Sequence, residues 1–343
     1  MHVTQAWYVV CESKQLRDKP LPITLLNTPI VVFRNREGKI GALLDRCPHR
    51  NVPLSLGNVQ GEYLQCVYHG WQFDCAGACQ AIPELFGEAN AVGRRAPAFA
   101  TREQDGFIWV YATPDVTPQN EPFHFPFIHK RDYTTVRQEV RAPASIHATA
   151  ENALDVPHTA YLHGGLFRSA KAKRHDIEVV IRRWPDRVEA EYVGEPRPSG
   201  LAGKILAPGG GTVKHFDRFI LPSIVQVEYR LGEKSHICVS TALTPVSDFD
   251  TRLFAVTSFN LPLSRLAGLV ALFLRPLALR IFQQDADMLK RQTETIQHFG
   301  GEQFVSTDVD VLGAQIYRLL KQAERGATPA AIEPVTRTIR MRI

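Results

Sequence analysis

Two short segments constrain this chain more than anything else in it: Cys47-Pro48-His49-Arg50 and Cys66-Val67-Tyr68-His69-Gly70-Trp71. Each carries one cysteine and one histidine, with sixteen residues between His49 and Cys66. Zinc sites of the Cys2His2 kind group the cysteines together and the histidines together, so this alternation argues against zinc. Two Cys–His loops held apart can instead place both thiolates on one metal and both imidazoles on another. Pro48 and Gly70 suit tight loops in which backbone N–H groups reach sulfur.

That ligand set is the one a Rieske [2Fe–2S] centre uses. Two neutral histidines replace two anionic cysteines there, which stabilises the reduced cluster and raises its potential. Cys47, His49, Cys66 and His69 are therefore the expected cluster ligands, with Trp71 and Tyr68 as core around them. A zinc site or two unrelated pairs of core residues are the competing readings.

At 343 residues the chain has room for two domains, and a small cluster domain leaves most of it over. A hydrophobic content of 44% with 22% charged residues is that of a packed protein. The net charge of +5 is scattered, so no nucleic-acid role is expected, although an acidic redox partner would be steered favourably. Short alternating segments at 7–10, 23–26, 30–34, 40–44, 72–74 and 107–111 predict a small antiparallel-β domain over 1–115. Four prolines between 114 and 126 mark the boundary. Further alternating segments at 136–142, 177–182, 187–193, 216–220, 224–231, 237–243 and 253–260 predict a second antiparallel sheet with one buried face. Helices are expected at 145–163 and at 264–298, the latter broken near Pro276, giving an α+β catalytic domain over 116–326. The glycines at 208–211 could edge a pocket, and 327–343 reads as a partly ordered tail.

No signal peptide opens the sequence, and the apolar run at 266–274 is too short to span a bilayer, so membrane association is not expected. Few cysteines and oxygen-sensitive iron point to a reducing cytoplasm. Cys75 and Cys79 read as a turn with a buried thiol rather than a disulfide, and His147 as a surface or capping residue.

A Rieske cluster stores one electron and performs no substrate chemistry, so the larger domain needs a second centre. In Glu151-Asn152-Ala-Leu-Asp155-Val-Pro157-His158-Thr-Ala-Tyr-Leu-His163, the two histidines can ligate one metal. A distant carboxylate would complete a two-His-one-carboxylate face that leaves open positions on iron(II) for O2. Asp155, three residues before His158, can hydrogen-bond its imidazole. His158 and His163 lie about 140° apart on an ideal helix, so the helix must distort, by a π-type bulge or by ending at Gly164-Gly165. Asp285 is preferred over Asp287 as third ligand, because it shares a face with Leu289 and Gln292 whereas Asp287 lies with Arg291 and Glu294. Asn152 either hydrogen-bonds near the open metal position or packs.

In combination these motifs, Cys47-x-His49…Cys66-x2-His69 followed by Asn152-x2-Asp155-x2-His158-x4-His163 and a distal Asp285, resemble the α subunits of Rieske non-heme iron oxygenases. The resemblance covers the first domain and most of the second; Gln283-Gln284 stands before Asp285 where an acid is frequent. It implies a Rieske domain joined to a helix-grip (START-like) catalytic domain. It further implies head-to-tail homotrimers, in which the residue at Asp155 bridges the ligand matching His158 and the neighbour's cluster ligand matching His69.

The expected activity is that of a terminal oxygenase taking electrons from NAD(P)H through a ferredoxin or flavin reductase. The mononuclear Fe(II) would activate O2 to hydroxylate, or oxidatively demethylate, a mostly apolar small molecule. Monooxygenation is preferred to cis-dihydroxylation of an aromatic ring by family analogy. An electron carrier and a lipid-binding protein without turnover are the readings from other classes.

Overall fold

The computed structural model describes residues 1–163, 174–196, 213–232, 235–261, 267–326 and 335–343, with side chains omitted for 267–275 and 277. The chain divides into a unit of His2–His124 and a unit of Phe125–Ile343 that also takes in Met1. The division falls nine residues beyond the expected 115, near the end of the proline-bearing stretch 114–126 rather than at its start.

The smaller unit is built of short antiparallel strands. β1 (Trp7–Glu12) is followed by β2 (Leu21–Leu25), β3 (Thr28–Arg34) and β4 (Ile40–Leu44). Four brief strands come next: β5 (Asn58–Gln60), β6 (Tyr63–Gln65), β7 (Gln72–Phe73) and β8 (Cys79–Ala81). β9 (Ala98–Phe99), β10 (Thr101–Gln104) and β11 (Phe107–Tyr111) complete it. They form three sheets in the orders β1-β11-β10, β2-β3-β4-β9 and β5-β6-β7-β8. The two Cys–His segments follow β4 and β6, and the apolar core beneath them gathers Val31, Phe33, Leu43, Leu64 and Phe73 around Cys47 and Cys66.

In the larger unit, β12 (Thr134–Ala142) leads into helix α1 (Ile146–Ala153) and the one-turn helix α2 (Thr159–Leu162). Strands β13 (Asp176–Arg183), β14 (Arg187–Val193), β15 (Val213–Ile220), β16 (Ile224–Leu231), β17 (Ser235–Ser247) and β18 (Asp250–Asn260) follow. Then come the long helix α3 (Ala267–His298), α4 (Gly313–Glu324) and the last strand β19 (Val335–Arg342). The eight strands make one antiparallel sheet, in the order β12-β18-β17-β16-β15-β14-β13-β19. Alternation along β15, with Val213, His215, Asp217 and Phe219 all buried, marks the face that the helices cover.

Several expectations are corrected. The helix at 145–163 is two helices, because Pro157 lacks an amide donor and disfavours helical geometry at Val156. Helix α3 runs through Pro276 without a break; losing one amide donor does not end a helix of 32 residues. The final residues are no loose tail: Val335–Arg342 pairs with β13 from Asp176↔Arg342 to Arg183↔Val335. Helix α4 was not expected at all. His147 is buried, with Nε2 donating to the Gly313 carbonyl at 3.0 Å, and Ser145 is the cap of α1 instead. The apolar side chains of 266–274, the glycines at 208–211 and Gly164-Gly165 lie outside the described residues. No helix among those described is long and apolar enough to cross a membrane.

Candidate iron centres

The two Cys–His segments are near copies of one another in backbone geometry. Cys47 N–H donates to the Val52 carbonyl at 2.8 Å, and Cys66 N–H to that of Trp71 at 2.8 Å. Inside each closure the cysteine carbonyl accepts from the residue four further on, Asn51 at 2.9 Å and Gly70 at 3.1 Å. Both of those residues sit in the left-handed region, with φ of 62° and 67°. At Gly70 a Cβ would also stand 2.9 Å from Pro83 Cγ, so glycine is required there.

This pair of loops buries both cysteines and leaves both histidines toward solvent. The His49 and His69 rings lie 4.6 Å apart, and Trp71 stacks on His49 at 4.8 Å. Tyr68, expected in the core, is exposed, with its ring 3.9 Å from that of His69. Burial pushes the Cys47 thiol up to about 11, opposed by the His49 and Arg50 amides that point at it; nearby Cys66 raises it further. His49 is lowered by desolvation, His69 and Arg50, which favours the neutral ligand form. Paired thiols inside and paired imidazoles outside, with amides aimed at sulfur, fit a [2Fe–2S] cluster bound by two cysteines and two histidines. None of the six cysteines is in a disulfide, Cys75 and Cys79 included.

The second centre is set by the break between α1 and α2. Asp155 Oδ2 accepts from the His158 amide at 3.2 Å, capping the turn, and faces His158 Nδ1 at 3.2 Å. His158 and His163 then bracket α2 at either end, which solves the angular problem differently from a bulge between them. Their Nε2 atoms approach to 3.3 Å. Asp285 Oδ1 on α3 lies 3.4 Å from His158 Nε2 and 3.1 Å from His163 Nε2. Asp287 is exposed and Leu289 buried, as the facing argument requires.

Each imidazole has its tautomer fixed from behind. With Nδ1–H donated to Asp155 or, in His163, to Gln284 Oε1 at 3.0 Å, both Nε2 lone pairs aim at the point that Asp285 faces. Asp285 Oδ1 is buried and has no hydrogen-bond partner, so this oxygen and the two Nε2 atoms converge on one point. Ligands at right angles on bonds of about 2.1 Å would stand about 3.0 Å apart, close to the separations seen. The field favours a cation: burial opposes charge on His158, yet Asp155 and Asp285 outweigh it and push its pKa up to about 9. Among the described residues this is the one group of three ligand side chains that could hold a metal ion. The donor set fits ferrous iron.

Asn152 lies beside Asp155 in a cleft of about 810 Å³ that also takes in Glu151, Met288, Leu289 and Phe304. It lines the Asp155 side of the site. Gln284 is the residue sequence reasoning missed: it was noted only as a departure from an acidic position, and its adjacency to Asp285 on an inward helix face was the available signal.

Residues 6–89 match the Rieske [2Fe-2S] domain family, and residues 142–326 match the vanillate O-demethylase oxygenase C-terminal domain family. The chain belongs to the Rieske non-heme iron oxygenases. It is an oxygenase component of such a system, and its fold is theirs. The vanillate O-demethylase oxygenase subunit of Pseudomonas sp. (strain HR199 / DSM 7063) is 27% identical over 97% of this chain and 98% of that protein. The dicamba O-demethylase oxygenase component of Stenotrophomonas maltophilia is 33% identical over 52% of this chain and 53% of its own length. Among solved structures, Pseudomonas putida CBB5 NdmA with caffeine superposes with a TM-score of 0.78 at 24% identity, covering 98% of this chain and 97% of that one. Dicamba monooxygenase bound to dicamba gives 0.77 at 22%, covering 94% and 98%.

Proposed function

We propose that this Rieske oxygenase is a monooxygenase that hydroxylates a mostly apolar small molecule, or removes a methyl group from it after hydroxylation. The observation that carries this is the convergence of His158 Nε2, His163 Nε2 and Asp285 Oδ1 on one point. In this reading His2–His124 is the electron-storing domain, Phe125–Ile343 is the catalytic domain, and Cys47, His49, Cys66 and His69 hold the [2Fe–2S] cluster. His158, His163 and Asp285 would hold Fe(II), which would supply O2 activation, with electrons from NAD(P)H through a ferredoxin or flavin reductase.

The chain's own residues then have separate tasks. Asp155 and Gln284 partner Nδ1 of the two imidazoles and keep the rings turned so that both Nε2 atoms face Asp285. Asp155 also offers its second carboxylate oxygen, and its place beside an open cleft suits contact with a neighbouring subunit's cluster domain in a homotrimer. Asn152 shares that cleft, and its backbone carbonyl accepts from the Asp155 amide at 3.3 Å. Each turnover consumes one O2, two electrons and two protons, and yields one hydroxyl on the substrate and one water. A cytoplasmic location accords with the lack of any disulfide among the six cysteines. Demethylation is supported by the relatives, several of which are named as O- or N-demethylases.

Coupled oxygen consumption tests the proposal. The iron-loaded protein with a competent reductase, NADH and a panel of aryl methyl ethers is expected to release formaldehyde in proportion to O2. Absence of substrate-dependent O2 uptake from protein with both centres filled would overturn it.

A further inference from the structure

A histidine side chain does not fix the plane of its own ring, because the torsion about its Cβ–Cγ bond is broad. A metal-bound imidazole is held from behind. In the larger unit Asp155 does this for His158 and Gln284 for His163, each at Nδ1. The cluster histidines are held differently. Among the described residues the ring contacts of His49 are aromatic: Trp71 lies parallel to it at 4.8 Å with an interplanar angle of 5°, and His69 meets it edge-on at 4.6 Å and 65°. Apart from that edge, the ring on His69 is Tyr68, tilted by 41° at 3.9 Å.

The two aromatic partners differ in how firmly they are themselves fixed. Tyr68 is 61% exposed and directly precedes its histidine in the same loop. Trp71 is anchored at both ends. Its carbonyl accepts the Cys66 N–H at 2.8 Å and so closes the second loop. Its indole packs on the apolar core beneath the cysteines, tilted by 36° against the buried Phe73 ring at 6.4 Å. In the first loop the equivalent closing position, five residues after the cysteine, belongs to Val52, whose carbonyl accepts the Cys47 N–H at the same 2.8 Å. Backbone closure therefore needs no aromatic side chain at this position. What the indole adds is a reach from the second loop onto a ligand of the first, in a parallel stack that turning the imidazole would destroy.

We infer that Trp71 is a positioning residue for His49: its indole sets the plane of that imidazole and ties the two loops into one preformed ligand set, leaving the His69 ring unclamped. The plane matters because the iron with two neutral imidazoles, rather than the one with two thiolates, accepts the electron more readily, and its overlap with each ring nitrogen follows the ring plane. The inference rests on reading Cys47, His49, Cys66 and His69 as the cluster ligands, and its test needs no turnover. Pulsed paramagnetic resonance of the dithionite-reduced full chain reads one coupling for the bound nitrogen of each histidine, with iron and acid-labile sulfide counted in the same samples. In Trp71→Leu the spread of one nitrogen coupling is expected to widen by at least about twofold, while the other stays as in wild type and the sulfide is retained. Trp71→Phe, which keeps a flat ring, is expected to hold both couplings near wild type. Tyr68→Leu, which removes the ring on His69, is expected to leave the coupling that Trp71→Leu widens unchanged.

Wild-type widths for both nitrogens in Trp71→Leu, whatever its melting temperature, would mean that the indole only packs, which overturns the inference. So would widening of both nitrogens together, equal widening in Trp71→Phe, or the same coupling moving in Tyr68→Leu. Should Trp71→Leu assemble no cluster, full occupancy with wild-type couplings in Trp71→Phe sustains the clamp, and anything less in that variant overturns it. A wild type that holds no acid-labile sulfide overturns the ligand reading and the clamp together, and the sulfide count tells that failure apart from the others.

Discussion

Gln284→Leu isolates a single hydrogen bond on which the iron site depends. Gln284 Oε1 faces His163 Nδ1 at 3.0 Å, and His163 is 1% exposed, so no water can take the place of the lost acceptor. Leaving a buried N–H without a partner costs about 1–3 kcal/mol, and removing such an outer partner weakens metal binding by roughly ten- to hundredfold. The same argument predicts a smaller loss for Asp155→Ala. The Asp155 side chain is 30% exposed, so water can serve His158 Nδ1 in its place. Competition against a calibrated chelator would measure the iron dissociation constant, with the visible spectrum reporting the cluster separately. The expected result is a ten- to hundredfold rise for Gln284→Leu, a nearly unchanged value for Gln284→Glu, and an unaltered cluster in both. A constant for Gln284→Leu within about twofold of wild type would refute the claim that this bond fixes the imidazole.

Asp155→Asn should keep both metals, since the amide oxygen still accepts from the His158 amide and Nδ1, yet slow single-turnover reduction of the iron; an unchanged rate in rapid-mixing experiments would remove Asp155 from the electron path. Gly70→Ala places a Cβ 2.9 Å from Pro83 Cγ at a φ of 67°, costing at least about 1–2 kcal/mol, and cluster loss on heating should occur at lower temperature. Because burial of His215 is outweighed by Asp217 and Glu195, which raise it from 6.5 to about 9 in the fold, its stabilisation is complete below pH 6.5 and disappears as pH climbs through 9. That gap is worth on the order of 3 kcal/mol, so wild-type melting temperature should fall more steeply over this window than that of His215→Gln; parallel curves would contradict the assignment.

Legibility followed sequence distance. The cluster loops are local, and each needs only one cysteine, one histidine and a residue able to adopt positive φ, so their spacing was sufficient. His158 and His163 were readable as a pair, and Asp285 was separable from Asp287 because burial of Leu289 is a property of one helix face. The helix does end between the ligands, since α2 stops at Leu162 with His163 as its C-cap, but the capping of the preceding turn by Asp155 was not read from the sequence. Gln284 was missed because its partner is 121 residues away, and its place next to Asp285 was the one local signal. The stacking of His215 between Tyr192 and Tyr229, at 4.5 and 4.0 Å, is likewise a product of strand register, which alternation alone does not specify. Strand β19 was missed for a similar reason: its polar pattern, with only Ile339 and Met341 buried, is that of an edge whose partner is remote in sequence.

Iron and acid-labile sulfide counted in the purified wild type and in Asp285→Ala test the central claim most directly. The account predicts about three irons and two sulfides per wild-type chain, and about two and two in the variant with the cluster spectrum intact. Two irons in fully loaded wild type, or three retained after the carboxylate is removed, would contradict it.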